Sequence, residues 1–206
     1  CGVLCSVQLG GAFGRVFHSI SSFCNSGFAI LQDGIGNDNY RFNYGFQAVL
    51  ALIFVLGGMG FGTVYNFYTY VKSQINSLIQ AVIKKKRFKH KAQQFSFNTK
   101  FIVLCNTIVL LLATVSYYVM EQNYTLSEDK STVGEWITSF FMANASRSAG
   151  FNSVNINFLN IPTLIMITTL MWIGVAPGST GGGIKVTTLA VLALAVWSEA
   201  KGRQSV

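Results

Sequence analysis

Charge is missing from long stretches of this chain, and those stretches decide what it can fold into. Tyr44 to Val71 contains no Asp, Glu, Lys or Arg over 28 residues, Phe101 to Met120 none over 20, and Ile161 to Ile184 none over 24. After Lys185, the run Val186 to Ser198 adds 13 more uncharged residues. A helix of about 20 apolar residues crosses the roughly 30 Å hydrocarbon core of a bilayer. The windows therefore predict three membrane passages, the third interrupted around 174–185. Composition agrees: 51% of the 206 residues are hydrophobic and 11% charged, against about 25% charged in average soluble chains. That balance excludes a disordered chain. Cys1, Cys5, Cys24 and Cys105 are too sparse for a disulfide scaffold, fit no zinc spacing, and read as small apolar packers. The chain begins at Cys1 without Met or a signal-peptide pattern, so it is expected to be a piece of a longer protein.

The net charge of +8 would ordinarily suggest nucleic acid, but the charge is local and no nucleic-acid partner is expected. Six of the fifteen basic residues fall in KKKRFKHK, Lys84 to Lys91. Six of the seven acidic residues (Asp33, Asp38, Glu121, Glu128, Asp129 and Glu135) fall in two other loops. Basic short loops mark the cytoplasmic side. One odd crossing separates each acidic loop from the basic run, so both acidic loops are expected outside, and Lys201 and Arg203 inside. The basic run serves topology and anionic lipid, or docks a cytosolic partner.

Two shorter apolar stretches, Gly10 to Ile30 and Trp136 to Phe151, are too short and too polar to span. They read as re-entrant segments, which are tolerated where protein or water lines them, or as amphipathic surface helices. They resemble each other. Asn25-Ser26-Gly27-Phe28 aligns with Ser148-Ala149-Gly150-Phe151 at an offset of 123 residues. The repeating unit is a span, a re-entrant half-helix, a glycine turn and a span. Such a unit suits a dehydrated cation, which needs oxygen ligands in place of water. Backbone carbonyls supply them in channel filters, glycine adopts the dihedrals that aim them, and a half-helix points its negative C-terminal end at the ion. The alternative is ordinary glycine-mediated helix packing.

The segment Ala176 to Lys185 reads APGSTGGGIK. Pro177 removes a donor, and Gly181, Gly182 and Gly183 each weaken a helix by about 1 kcal/mol relative to Ala. A non-helical loop within the membrane is predicted here. Lys185 beside it is an intramembrane functional candidate or a snorkelling residue near the inner interface. The loop misses the phosphate-binding spacing by one residue, and Gly58-Met59-Gly60-Phe61-Gly62 misses the dinucleotide spacing. The latter reads as close helix packing, with a hinge as the alternative.

Three segments together resemble the membrane subunits of the Trk/Ktr/HKT potassium transporters, the KtrB/TrkH type most closely. They are HSISSFCNSGF at 18–28, SRSAGFNSV at 146–154 and APGSTGGGIKVTT at 176–188. The resemblance covers essentially the whole chain, while the chain covers about half of the family pattern, without the first filter or the fourth unit. It implies an all-α integral membrane protein of repeated helix–pore-loop–helix units: a second unit at 1–83, a basic cytoplasmic linker at 84–98 and a third unit at 99–206. It implies Asn25, Ser26, Gly27 and Phe28, and Ser148, Ala149, Gly150 and Phe151, as ion-coordinating filter strands. Gly178, Ser179, Thr180, Gly181, Gly182, Gly183 and Lys185 would form a gate loop. Arg147 would tie the turn to its surroundings or tune the local field. No bond-making chemistry or cofactor is expected. The resemblance implies K⁺ as the transported ion, with Na⁺ open as a coupling ion. It also implies a bacterial inner membrane, a homodimer and a cytosolic nucleotide-binding regulatory subunit. Another cation channel, or a non-transport membrane scaffold, is the alternative.

Overall fold

The computed structural model describes residues 11–30, 34–36, 38–84, 97–129 and 131–202. Residues 1–10 of the expected second unit, and all of the basic linker before Phe97 except Lys84, lie outside the described residues. The described chain is helical, with one isolated bridge pairing Ile173 and Ile184.

The second of the three predicted passages is the simplest. Helix α4 (Phe97–Glu121) contains a 23-residue apolar span from Thr99 to Glu121, which at 1.5 Å per residue covers roughly 34 Å. The first passage is not one straight helix. Helices α2 (Tyr44–Gly58) and α3 (Phe61–Lys84) meet at 106°. Of the two readings of the Gly58–Gly62 cluster, the hinge alternative therefore applies, alongside the packing reading put first. Gly60 sits at φ +82°, a conformation closed to most side chains, and breaks the helix. The close approach is real as well: a Cβ on Gly60 would stand 2.4 Å from the Pro177 carbonyl oxygen. The third passage is broken as expected, into α6 (Ile161–Trp172) and α7 (Val186–Ala200) around the loop 173–185.

The two short segments form half-helices. Helix α1 (Gly11–Phe23) and helix α5 (Thr132–Asn144) have 13 residues each, roughly 20 Å and too short to span. Asn43 caps α2 by accepting from the Phe46 amide, and Ser131 caps α5 by accepting from the Gly134 amide. The core lies between α2, α4 and α5. Phe46, Leu50 and Phe54 pack with Ala113 and Tyr117 and with Phe141 and Met142. Phe54 and Phe141 meet edge to face with centroids 5.6 Å apart. Large apolar side chains such as Leu104, Leu111, Leu112, Val119, Ile165 and Leu192 remain exposed, a surface suited to lipid or to further membrane helices rather than to water.

Candidate functional site

Both half-helices end in a glycine turn, and the turns lie side by side. Gly27 has φ +72° and Gly150 φ +73°. A Cβ on Gly27 would come within 2.6 Å of the Ala149 carbonyl oxygen and 3.0 Å of Gly150 Cα. Each turn is closed by a wide hydrogen bond reaching back five residues: the Ser26 amide to the Ser21 carbonyl at 3.0 Å, and the Gly150 amide to the Ala145 carbonyl at 2.9 Å. In the second repeat the last turn, Ala145–Ala149, has π geometry, a form frequent at functional sites.

The first turn is fastened to its own half-helix. The Ser21 hydroxyl donates to the Phe28 carbonyl at 2.8 Å, and the Ser22 hydroxyl to the Leu50 carbonyl of α2 at 3.0 Å. The Phe28 carbonyl is thus directed at the scaffold. Buried His18 holds the strand beyond it. Its Nδ1 donates to the Gly14 carbonyl at 2.7 Å, and its Nε2 accepts from the Ile30 amide at 3.4 Å. The repeats differ at their phenylalanines: Phe151 is buried and Phe28 exposed.

The loop 173–185 seats against both turns and against the α2–α3 break. Its ends pair, with the Gly174 amide donating to the Ile184 carbonyl and the Ile184 amide to the Trp172 carbonyl, each at 3.0 Å. The freed backbone groups of the two broken spans satisfy one another. The Ala176 amide donates to the Gly58 carbonyl at 3.1 Å, and the Phe61 amide to the Gly178 carbonyl at 3.0 Å. Non-helical backbone at membrane depth is stable when such partners exist. Gly181 faces the second turn, where a Cβ would stand 2.9 Å from Ser148 Cβ. Gly183 stands at φ +78°, and a Cβ there would meet Gly174 Cα at 2.8 Å. The Lys185 ammonium donates to the Gly181 carbonyl at 2.7 Å, so it secures its own loop. Ser179 turns its hydroxyl onto the Ala176 carbonyl, while Gly178 and Gly182 face open space.

Side chains link the three segments. The Asn25 amide donates to the Thr180 hydroxyl at 2.7 Å, and the Ser148 hydroxyl donates to Asn25 Oδ1 at 3.2 Å. Arg147 lies buried behind the second turn and donates to Asn106 Oδ1 at 3.1 Å and to the Gly174 carbonyl at 2.7 Å. Of the two roles considered for Arg147, these contacts are those of a tie.

Glu121 is a residue the sequence reading missed. It is fully buried at the end of α4, accepts from the Thr125 hydroxyl at 2.8 Å, and accepts from the Asn160 amide at the start of α6 at 3.0 Å. Its position at the end of an apolar window gave it the look of one more outer-loop charge. Among the described residues no three His, Cys, Asp or Glu side chains converge on a metal site. The oxygen donors at the paired turns are carbonyls, amides and hydroxyls.

The described residues define an all-α fold of apolar helices built on two paired half-helices, their glycine turns and broken apolar passages. Residues 7–206 match the TrkH family of cation transport proteins, and the chain belongs to that family. It is 33% identical over 192 residues to the Ktr system potassium uptake protein B of Vibrio alginolyticus, covering 91% of this chain and 37% of that protein. It is 29% identical to the Ktr system potassium uptake protein B of Bacillus subtilis, covering 94% and 39%. With the potassium/sodium uptake protein NtpJ of Enterococcus hirae it shares 29% identity, covering 94% and 38%. The crystal structure of the potassium transporter TrkH from Vibrio parahaemolyticus superposes with a TM-score of 0.67 at 16% identity, covering 98% of this chain and 38% of that one. The fold is therefore shared with a solved transporter. The chain spans less than two fifths of the length of these relatives. The family is one of transport, not of catalysis.

Proposed function

We propose that this chain is the central part of a potassium-uptake subunit in a bacterial inner membrane, crossing it several times. Residues 1–83 and 99–206 are two pore units joined by the cytoplasmic segment 84–98. The observation that carries this reading is the pairing of Gly27 with Gly150, two left-handed turns in contact at the C-terminal ends of two half-helices. Half-helix ends carry partial negative charge, and glycine backbones leave room for an ion to approach carbonyl oxygen. Asn25 to Phe28 and Ser148 to Phe151 are then two filter strands of a pore completed by further units, the Phe28 carbonyl being held by the Ser21 hydroxyl so that Asn25 to Gly27 carry the first strand's share of the ion contacts, and Gly178 to Lys185 is the gate beneath them. The relatives' names support K⁺ as the substrate, and the name of the Enterococcus hirae protein, a potassium/sodium uptake protein, supports Na⁺ as a further transported ion, with coupling of the two as part of this proposal. In this reading the subunit works as a homodimer with a cytosolic nucleotide-binding regulatory subunit. The Ktr relatives, named as parts of a system, support such further components.

The test is K⁺ uptake in a bacterium deficient in it, using the full-length parent gene with and without Gly150→Asp. Restored uptake with the parent, lost with the substitution at equal membrane levels, supports the filter. Equal uptake in both reduces the repeat to helix packing.

A further inference from the structure

Thr180 is the gate-loop side chain that meets the first glycine turn and the broken first passage at a single point, and through Asn25 it reaches the second turn. Its hydroxyl accepts from Asn25 Nδ2 at 2.7 Å. The same hydroxyl lies 3.1 Å from the Phe23 carbonyl and 3.2 Å from the Gly57 carbonyl, and donates its single proton to one of them. Its amide donates to the Gly57 carbonyl at 3.4 Å. On its far side Asn25 accepts from the Ser148 hydroxyl. A continuous chain of hydrogen bonds thus runs from one turn through Asn25 to the loop, and through Ser148 to the other turn. Asn25 stands at φ +52°, alone among the described non-glycine residues at positive φ. That conformation suits a side chain held by local hydrogen bonds.

From this geometry we infer that Thr180 is a latch and Asn25 its keeper. They hold the gate loop in its seat and, through Ser148, hold the two turns in register. Withdrawing the loop must break the 2.7 Å bond and leave Asn25 with its donor unpaired. Loop seating and turn geometry are therefore one coupled equilibrium. The inference rests on the transport reading and adds to it a positioning role for two side chains.

The experiment uses the full-length parent transporter in proteoliposomes, measuring K⁺ uptake for Thr180→Val, Thr180→Ser, Asn25→Ala and the Asn25→Ala/Thr180→Val double variant. Loss of one hydrogen bond shifts an equilibrium roughly two- to ten-fold. Thr180→Val is expected to raise maximal uptake by about that factor, because the seated loop is weakened, and to raise the KM for K⁺, because the turns are released. Thr180→Ser, which keeps the hydroxyl, should match the parent. The double variant should resemble either single variant, since both break the same link. A merely structural role would lower maximal uptake with KM unchanged, or give additive effects, and either result overturns the latch. If Thr180→Val does not insert, Ser148→Ala releases Asn25 from the other side, and an unchanged KM there also overturns it. A parent that carries no K⁺ rejects the transport reading itself, and the latch with it. A parent that transports beside an unchanged Thr180→Val rejects the latch alone.

Discussion

The Arg147 guanidinium donates to the Gly174 carbonyl at 2.7 Å, tying the end of one half-helix to the point where the third passage leaves helical geometry. A helix end leaves carbonyls without partners. Here α6 stops at Trp172, and the backbone just beyond it is met by a cation from another segment. The same group reaches Asn106 on α4, so one side chain joins α4, the second glycine turn and the loop 173–185. Replacing Arg147 with Ala leaves buried acceptors without donors, at about 1–3 kcal/mol each. The expected result is a lower melting temperature of the full-length protein in detergent. Arg147→Lys should recover only part of the loss, because a single ammonium does not reproduce the planar fork. A melting temperature equal to that of the parent in both variants would show that the tie is not structural.

The two turn glycines are not equivalent, although the repeat makes them look so. Both adopt positive φ, which costs an L-residue about 1–2 kcal/mol. A Cβ on Gly27 also collides with the Ala149 carbonyl oxygen at 2.6 Å, whereas a Cβ on Gly150 finds only Gly27 Cα at 3.4 Å, an ordinary contact. Gly27→Ala should therefore reduce uptake and stability more than Gly150→Ala. Matched uptake assays and thermal melts decide the order, and a reversed order would contradict the close approach.

The parts of this arrangement that were legible in the sequence are those written in local chemistry. Charge-free windows gave the apolar passages, Pro177 and the three glycines gave the broken span, and the 123-residue offset gave the paired turns. What was not legible depends on contacts between distant segments. The spacing of Asn25 and Ser148 marks them as equivalents, but nothing in it says that their side chains touch, or that Thr180 completes the link. The 106° bend at Gly58–Phe61 was legible only as the second-choice hinge reading of the glycine cluster, because hydropathy averages over direction. A window uncharged for 28 residues reads alike whether the helix is straight or broken. Glu121 was hidden for a similar reason: its burial comes from Thr125 and from the Asn160 amide, 39 residues further along the chain.

Gly57 and Gly62 test the packing of the bent passage in opposite directions. Within a helix, Gly→Ala ordinarily stabilises by up to about 1 kcal/mol. At Gly62 an added Cβ meets nothing within 4 Å, so Gly62→Ala should leave the melting temperature unchanged or raise it. At Gly57 the Cβ would stand 2.0 Å from the Phe23 carbonyl oxygen, a backbone atom at the end of the first half-helix. Overpacking of this kind costs about 1–3 kcal/mol, so Gly57→Ala should lower the melting temperature and disturb the adjacent Asn25 turn. Equal effects of the two substitutions would mean that α2 does not pack against the turn as closely as described.

The loop between α4 and α5 carries a pH dependence whose direction follows from Asp129. Burial pushes its carboxyl above the usual value of 3.8, outweighing the hydrogen bond from Tyr44 at 3.3 Å and the nearby charge of Arg41. The folded state therefore holds this proton more tightly than the unfolded state. Between 3.8 and the raised folded value the folded protein binds more protons, so its stability rises as pH falls through that window. Above the window the ionised, half-buried carboxylate is a standing cost. Asp129→Asn, which mimics the protonated form, should be at least as stable as the parent at neutral pH and should lose this component of the acid stabilisation. Melting temperatures of the two proteins recorded from neutral pH down to about pH 4 measure it. Parallel curves would show that Asp129 titrates in the folded protein as it does in the unfolded chain.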